Sequence, residues 1–493
     1  MKTCFINPPW EENGRRGIRA GCRFPNLTIA KTNSYVPFPF LLAYAAAYSE
    51  SKGVDVLCID GVAERCDATS VCERIREFEP DLLVAETATT ALKHDLGVLQ
   101  AIRSARPSIR IAMYGSHVDV RPDDALDNPA VDFVIRGEPE LTSYELARAL
   151  EAGDDLSRVA GLVYRDKSGR PVTTPQRPLI PDLDAELPYP KRRGMPMDRY
   201  NVPGFPSPVM FIYGSRGCPY KCSFCLWPQT NLKGNYRARP GEKIAEEIAW
   251  VLEHYPETGS FFFDDDTFNL GRRRLLSFAD EMSRRGICIP WGMNARADNW
   301  DREMLERLVD TGLFTLRIGI ESGDQDVLDR TLKGIDLGQA REMLEMAHSL
   351  GIKNHISFVI GLPGETPKSV ENTIRFIHSV PADSVQFSVA IPFPGTSFYR
   401  YVEENGFLLT HDWSKFNGFD HVVMRTEAMT AAEIEKAITR ARRRVYFSPR
   451  FIRRRLSYVR DLRDLGALTR KVWRLVGPRR AFDAPERERG SAR

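Results

Sequence analysis

Apolar and polar positions alternate in two different rhythms along the first 150 residues. Short apolar runs at 2–7, 54–59, 81–85, 109–114 and 131–135 read as strands. Between them, residues 40–52, 70–78, 92–103 and the stretch after Glu140 as far as Leu150 read as helices. Strands alternating with helices predict a parallel, doubly wound α/β sheet. Such sheets bind ligands outside the carboxyl ends of their strands. The candidate binding loops are therefore 7–10, 86–90 (with Thr87 and Thr89), Gly115-Ser116-His117 and Gly137-Glu138-Pro139-Glu140. No G-x-G-x-x-G follows the first strand, which argues against a nicotinamide or flavin dinucleotide.

The pattern then changes. Residues 161–174 read as a hairpin, and 175–207 are rich in proline, which predicts a connector along the surface. Strand then helix resumes at 209–213, with further strands at 260–263, 289–293, 315–320, 355–360 and 384–391. These strands end in polar or glycine-rich residues: Asp264-Asp265-Asp266, Asn294, Glu321-Ser322, Gly361 and Pro392 to Gly395. Active sites of β/α barrels sit at that end of the strands. Six strands with helices between them predict a β/α domain over 208–400, after a sheet domain at 1–150 and a connector at 151–207.

Cys218-Pro-Tyr-Lys-Cys222-Ser-Phe224-Cys225 follows the first of these strands, across a glycine-bounded break. Three thiolates on one short loop can reach three corners of an iron–sulfur cube, which normally takes four cysteines. The next cysteine is Cys288, in a later segment, so one iron is left open. A structural zinc site needs four ligands, usually as two pairs, and no second pair is present.

The loop resembles the signature of the radical S-adenosylmethionine (SAM) superfamily, and the resemblance implies that the six strands form a partial (β/α)6 barrel. That resemblance implies a [4Fe–4S] cluster on Cys218, Cys222 and Cys225, with SAM chelated at the open iron and cleaved to a 5′-deoxyadenosyl radical. It also implies an external electron donor of flavodoxin or ferredoxin type. Carried over by position, it places Phe224 against the adenine, Asp264 and Asp265 at the methionyl amine, and Glu321 and Ser322 at the ribose or carboxylate. Asn294 joins them as a SAM contact, and Gly361 lets backbone approach the adenine. Asp266 fits a helix cap as well as a ligand role.

A doubly wound domain just before such a barrel resembles the cobalamin-binding domain of the B12-dependent radical SAM subfamily. The implied cobalamin contacts are Thr87, Thr89, Gly115, Ser116, His117, Gly137 and Glu138. The D-x-H-x-x-G motif of other B12 domains is absent, so the lower cobalt ligand is open. His117 either approaches cobalt or caps a backbone group. The whole domain is either a cobalamin site or an empty scaffold that holds substrate.

The nine cysteines show no disulfide framework, which suits a reducing cytoplasm, and the net charge of +3 names no partner. Residues 401–493 add aromatic side chains and then a basic stretch from Arg440 to Arg460 with interleaved apolar residues. This predicts amphipathic helices that lie on an anionic membrane at the inner face, bind a lipid-linked substrate, or simply face solvent. Residues after Pro485 read as disordered. No nucleic-acid-binding module is visible. The expected function is a cobalamin-dependent radical SAM enzyme that methylates an unactivated carbon of a small-molecule or lipid-linked substrate. The alternatives are oxidative cyclisation or rearrangement with the same cofactors, and a non-catalytic iron–sulfur protein that binds a partner or lipid.

Overall fold

The computed structural model describes residues 1–12, 15–19, 26–28, 35–230, 232, 234–419 and 421–456. In the first sheet, β1 (Lys2–Asn7) lies between β2 (Asp55–Asp60) and β3 (Leu82–Glu86), with β4 (Arg110–Tyr114) and β5 (Phe133–Ile135) continuing beyond β3. These five strands are parallel. Strand order reverses between β1 and β3, and that switch point opens a crevice at the carboxyl edge of the sheet. The middles of the strands are apolar because both faces are covered. Cys4, Ile6, Leu83 and Ala85 face the helices Ala68–Phe78 and Leu92–Ala105. Phe5, Leu82 and Val84 face α1 (Phe40–Ser51) and the helix Pro139–Ala152.

The strands β6 (Leu162–Arg165) and β7 (Pro171–Thr173) form the expected hairpin, but it extends this same sheet: Tyr164 of β6 pairs antiparallel with Phe133 of β5. The proline-rich stretch is a second correction. It does not run over the surface, since Ile180, Leu187, Met195, Met197, Tyr200 and Val202 are buried in the core shared with the barrel. Proline fixes backbone angles without deciding burial, and the apolar residues between the prolines make that decision.

The second sheet runs β8 (Val209–Ile212), β9 (Ser260–Phe263), β10 (Trp291–Ala295), β11 (Leu313–Glu321), β12 (Lys353–Ile360), β13 (Ser384–Val389), all parallel and in chain order. Its two outer strands, β8 and β13, do not pair with each other, so the barrel is partial. Helices Gly241–His254, Arg272–Arg284, Arg302–Asp310, Leu337–Ser349 and Pro367–Ser379 cover the outside. Four of these strands, β10 to β13, start or end two residues away from their apolar runs. The helices Arg302–Asp310 and Pro367–Ser379 are fixed at their starts by caps: Asp301 accepts from Met304 N, and Thr366 forms a capping box with Ser369 around Pro367.

Two further helices, Ala431–Tyr446 and Pro449–Leu456, close the described chain. The first turns Ile434, Ile438, Ala441, Val445 and Tyr446 into the core, and the Tyr446 hydroxyl donates to Val385 O at 2.7 Å. Its arginines pair outward: Arg440 and Arg444 with Glu371, while Arg454 of the second helix meets Asp383. The apolar face of the first helix is thus used by the barrel and is not presented to a membrane. Among the described residues, no helix is long and apolar enough to cross a membrane. Arg460 and the stretch after Pro485 lie outside the described residues.

Candidate active site at the junction of the two sheets

The cysteine loop leaves β8 and is braced from three directions. The acidic run after β9 holds it from below: Asp265 accepts from Gly214 N (3.1 Å) and the Ser215 hydroxyl, Asp266 accepts from Gly217 N (3.1 Å), and Thr267 Oγ1 lies 3.3 Å from Cys218 Sγ. The Gln229 amide donates to the carbonyls of Cys222, Ser223 and Cys225 at 3.1, 3.0 and 2.8 Å, and its oxygen accepts from Ser397 N. Ser223 N donates to Thr331 O. Gln229 was not legible as a site residue, because nothing in the sequence marks one glutamine as the clamp of a loop four residues back.

The candidate SAM residues fall into two groups. Asp264 and Asn294 meet directly at 3.0 Å, and Tyr35 of the first domain also reaches Asp264, at 3.3 Å. Glu321 sits at the end of β11 with φ +72°, beside a break in the β11–β12 register. A non-glycine residue held left-handed marks a place where the surroundings dictate the backbone. Lys333 Nζ meets its carboxylate at 2.9 Å, and the pair is nearly buried. Lys333 is close enough to feel Cys222 as well. Phe224 packs at the edge of an apolar cluster with Leu362, Ala390 and Phe398. Gly361, at φ +100°, follows β12. The other two are engaged elsewhere. Asp265 is turned into the cysteine loop, where burial pushes its carboxyl up to about 7. Ser322 is buried beside the Thr373 hydroxyl and accepts from Asp324 N.

On the first sheet, Thr87 donates to Asp95 at 2.7 Å, and Asp95 pairs with Arg19 at 2.6 Å, both side chains fully buried. Gly115 (φ +138°) opens a short helix, Ser116–Val120, that buries Ser116 and His117. Among the described residues His117 caps no backbone group. Its ring nitrogens face Thr89 Oγ1 (3.3 Å) and Asp124 Oδ2 (3.0 Å), and its ring meets Trp413 edge-on. Gly137 (φ +77°) donates to Asp119 at 2.7 Å. Glu138 is the clearest departure from expectation. Both its oxygens are taken by Arg216 (2.8 Å), Arg237 (2.8 Å) and Ile180 N (2.9 Å), so it faces the domain junction. Arg216 also reaches Glu140 at 2.7 Å and lies over the Tyr44 ring of α1.

Arg216 stands two residues before Cys218, so this junction fixes the cysteine loop against the mouth of the first sheet. The C-terminal segment completes the enclosure. Thr90 donates to Phe416 O at 3.0 Å, and Trp413 Nε1 donates to Asp124 at 3.0 Å. The carboxyl ends of both sheets therefore open toward each other.

Residues 212–377 match the radical SAM superfamily and residues 28–147 match the B12 binding domain. An uncharacterized methyltransferase of Pyrococcus horikoshii is 33% identical over 92% of this chain and 94% of its own length. The chain belongs to the B12-binding radical SAM family. The anaerobic magnesium-protoporphyrin IX monomethyl ester cyclase of Rubrivivax gelatinosus is 26% identical, covering 84% of this chain and 74% of that protein. Among solved structures, the cobalamin-dependent S-adenosylmethionine radical enzyme OxsB, with aqua-cobalamin and S-adenosylmethionine bound, superimposes with a TM-score of 0.72 at 15% identity. That match covers 95% of this chain and 70% of OxsB.

The residues present fit the cofactors of a B12-binding radical SAM protein. Burial, and then the neighbouring Cys222 and Cys218, push the Cys225 thiol far above its ordinary range. Three crowded thiols ionise together only against a strong positive charge, which iron supplies. Among the described residues no group of three His, Cys, Asp or Glu is placed to hold a single metal ion. A cube, in which each protein-held iron takes a single thiolate, has no such requirement. At the switch point of the first sheet, buried Glu86 has one oxygen bonded by the Tyr114 hydroxyl (2.7 Å). The other has no hydrogen-bond partner among the described residues. Burial raises its carboxyl to about 7, so it can donate to or accept from a bound group there.

Glu365, which follows Gly361, gives a testable pH dependence. It is fully buried, and burial raises its carboxyl from 4.5 to about 8 while Gly361 N donates to it. The unfolded chain releases this proton above about pH 4.5, whereas the folded chain keeps it until about pH 8. Stability from this group is therefore complete at low pH and declines between those values, by at most about 1.4 kcal/mol per unit. Glu365→Gln keeps the neutral shape and removes the slope. Urea denaturation between pH 5 and 8 is expected to show a flatter profile in the variant.

Proposed function

We propose that this protein transfers a methyl group from SAM to an unactivated carbon of a small-molecule substrate. The supporting observation is the Arg216–Glu138 junction, which fixes the cysteine loop at the mouth of the cobalamin-type sheet. A hydrogen-abstracting centre and a methyl-carrying centre then share one enclosed space. When bound, the cluster, SAM and cobalamin supply one-electron cleavage of SAM and methyl delivery. The chain's own part is positional. Cys218, Cys222 and Cys225 hold the cluster, and Gln229 fixes the carbonyls between them. Asp264, steadied by Asn294, offers a carboxylate to an ammonium group. The Glu321–Lys333 pair presents both charges near Cys222, where the zwitterionic end of SAM is expected. Trp413 and Phe416 cover the first sheet and exclude water. Leu92, Val118 and the buried strand ends behind these loops keep the sheet rigid.

The chain's similarity to a magnesium-protoporphyrin cyclase favours a second reading, ring formation with the same cofactors. The coproducts of SAM separate the two. Incubated anaerobically with cobalamin, SAM and dithionite, a methylating enzyme forms both S-adenosylhomocysteine and 5′-deoxyadenosine. The cyclising alternative forms 5′-deoxyadenosine alone. Chromatography of the products is expected to show both, and absence of S-adenosylhomocysteine would refute methylation.

A further inference from the structure

The cysteine loop is open to solvent on one side. Pro219 and Lys221 are exposed, while Cys222 beside them is buried. A turn at 330–334 lies against this side and is stitched to it. Ser223 N donates to Thr331 O at 2.9 Å. Arg296 lies over the Tyr220 ring, 3.4 Å from its centroid, and donates to Lys333 O at 2.8 Å. Asn299 donates to the Tyr220 hydroxyl at 2.8 Å. The flank of the loop and the turn are thus one continuous surface.

That surface carries a residue the fold does not ask for. Leu332 is 58% exposed, the highest value among the large hydrophobic residues described, and its φ is +55°. It follows the helix Gln325–Arg330 at a point where Lys333 N closes back onto Leu328 O. Glycine or asparagine is the usual occupant of a left-handed position after a helix. A leucine there meets both a steric and a solvation cost. On the cysteine loop and at the end of this helix, Lys221 and Arg330 are exposed, and neither forms an ion pair among the described residues. Asp329, also exposed, accepts from the Gln325 amide.

We propose that Pro219, Lys221, Arg330 and Leu332 form the docking surface for an acidic, flavodoxin-like electron carrier. The proposal rests on the radical SAM reading, which requires one electron from outside. In that step the carrier is oxidised by one electron and the cluster is reduced by one, with no atom crossing the interface. An apolar anchor flanked by cations suits a small, transient, electrostatically steered contact. Its position beside the cysteine loop brings the carrier close to the cluster.

The test uses the full, cluster-reconstituted chain and a bacterial flavodoxin. Equilibrium binding is followed by flavin fluorescence. SAM cleavage is driven either by flavodoxin with its reductase and NADPH, or by dithionite, which needs no docking surface. Leu332→Glu and Lys221→Glu are each expected to weaken flavodoxin binding at least tenfold at low salt. Leu332→Glu is expected to lose flavodoxin-driven cleavage while keeping dithionite-driven cleavage within twofold of the unaltered chain. Unchanged binding in both variants overturns the proposal, and so does equal loss with both reductants. Failure of the unaltered chain to cleave SAM with dithionite counts against the activity itself, and the binding measurement still decides the surface.

Discussion

After anaerobic reconstitution with iron and sulfide, Cys222→Ala is expected to retain close to no iron, against about four irons per chain for the unaltered protein. The argument is geometric. Cys222 is the buried middle member of the three, and the amide of Gln229 fixes the carbonyl of the same residue. Two remaining thiols would hold only two irons and leave the other two without protein ligands. Formation of 5′-deoxyadenosine falls to background with the iron. Cys288→Ala is the matched control, since Cys288 is exposed and far along the chain, and it is expected to keep all the iron. Colorimetric iron analysis beside the visible spectrum reads both variants. Retention of a full cluster in Cys222→Ala would remove the basis of the active site described above.

The second large effect concerns the junction. Arg216→Met leaves Glu138 and Glu140 buried side by side without their shared guanidinium. Removing one partner from a buried ionic cluster costs about 3–5 kcal/mol, far more than the intact cluster contributes. Arg237 still serves Glu138, so the stranded carboxylate is mainly Glu140. Burial already raises the Glu140 carboxyl, whereas Arg216 and Arg237 hold that of Glu138 down despite its burial. In the variant, protonating Glu140 relieves the conflict, so the loss is expected to be smaller at pH 5 than at pH 8. Denaturant unfolding at the two pH values checks both the size and the sign.

The sequence made the two sheets legible because each strand is a compact apolar run bounded by turn residues, as in Phe211 to Gly214. The three cysteines were equally plain, since their spacing has little other use in a chain without a disulfide framework. What could not be read is where polar side chains turn. Glu138 stands in a ligand-binding loop of the first sheet, yet Arg216, 78 positions away, claims it. Asp264 and Asp265 are neighbours, but adjacent side chains leaving a strand point in opposite directions. One reaches Asn294 across the sheet mouth, and the other returns to Gly214 and Ser215. The basic helix left a membrane, a lipid-linked substrate and solvent all open because its partners, the helix Pro367–Ser379 and β13, stand far back in the sequence. Amphipathicity shows that a face is buried and does not say against what.

The covering of the first sheet has a consequence in time. Thr90 is capped by Phe416, 326 residues later in the chain. On the ribosome, at about 5–20 residues per second, roughly 15–65 s separate the synthesis of these two positions. During that interval the first domain emerges with its mouth uncovered. The segment that closes that mouth is among the last described parts of the chain to be made.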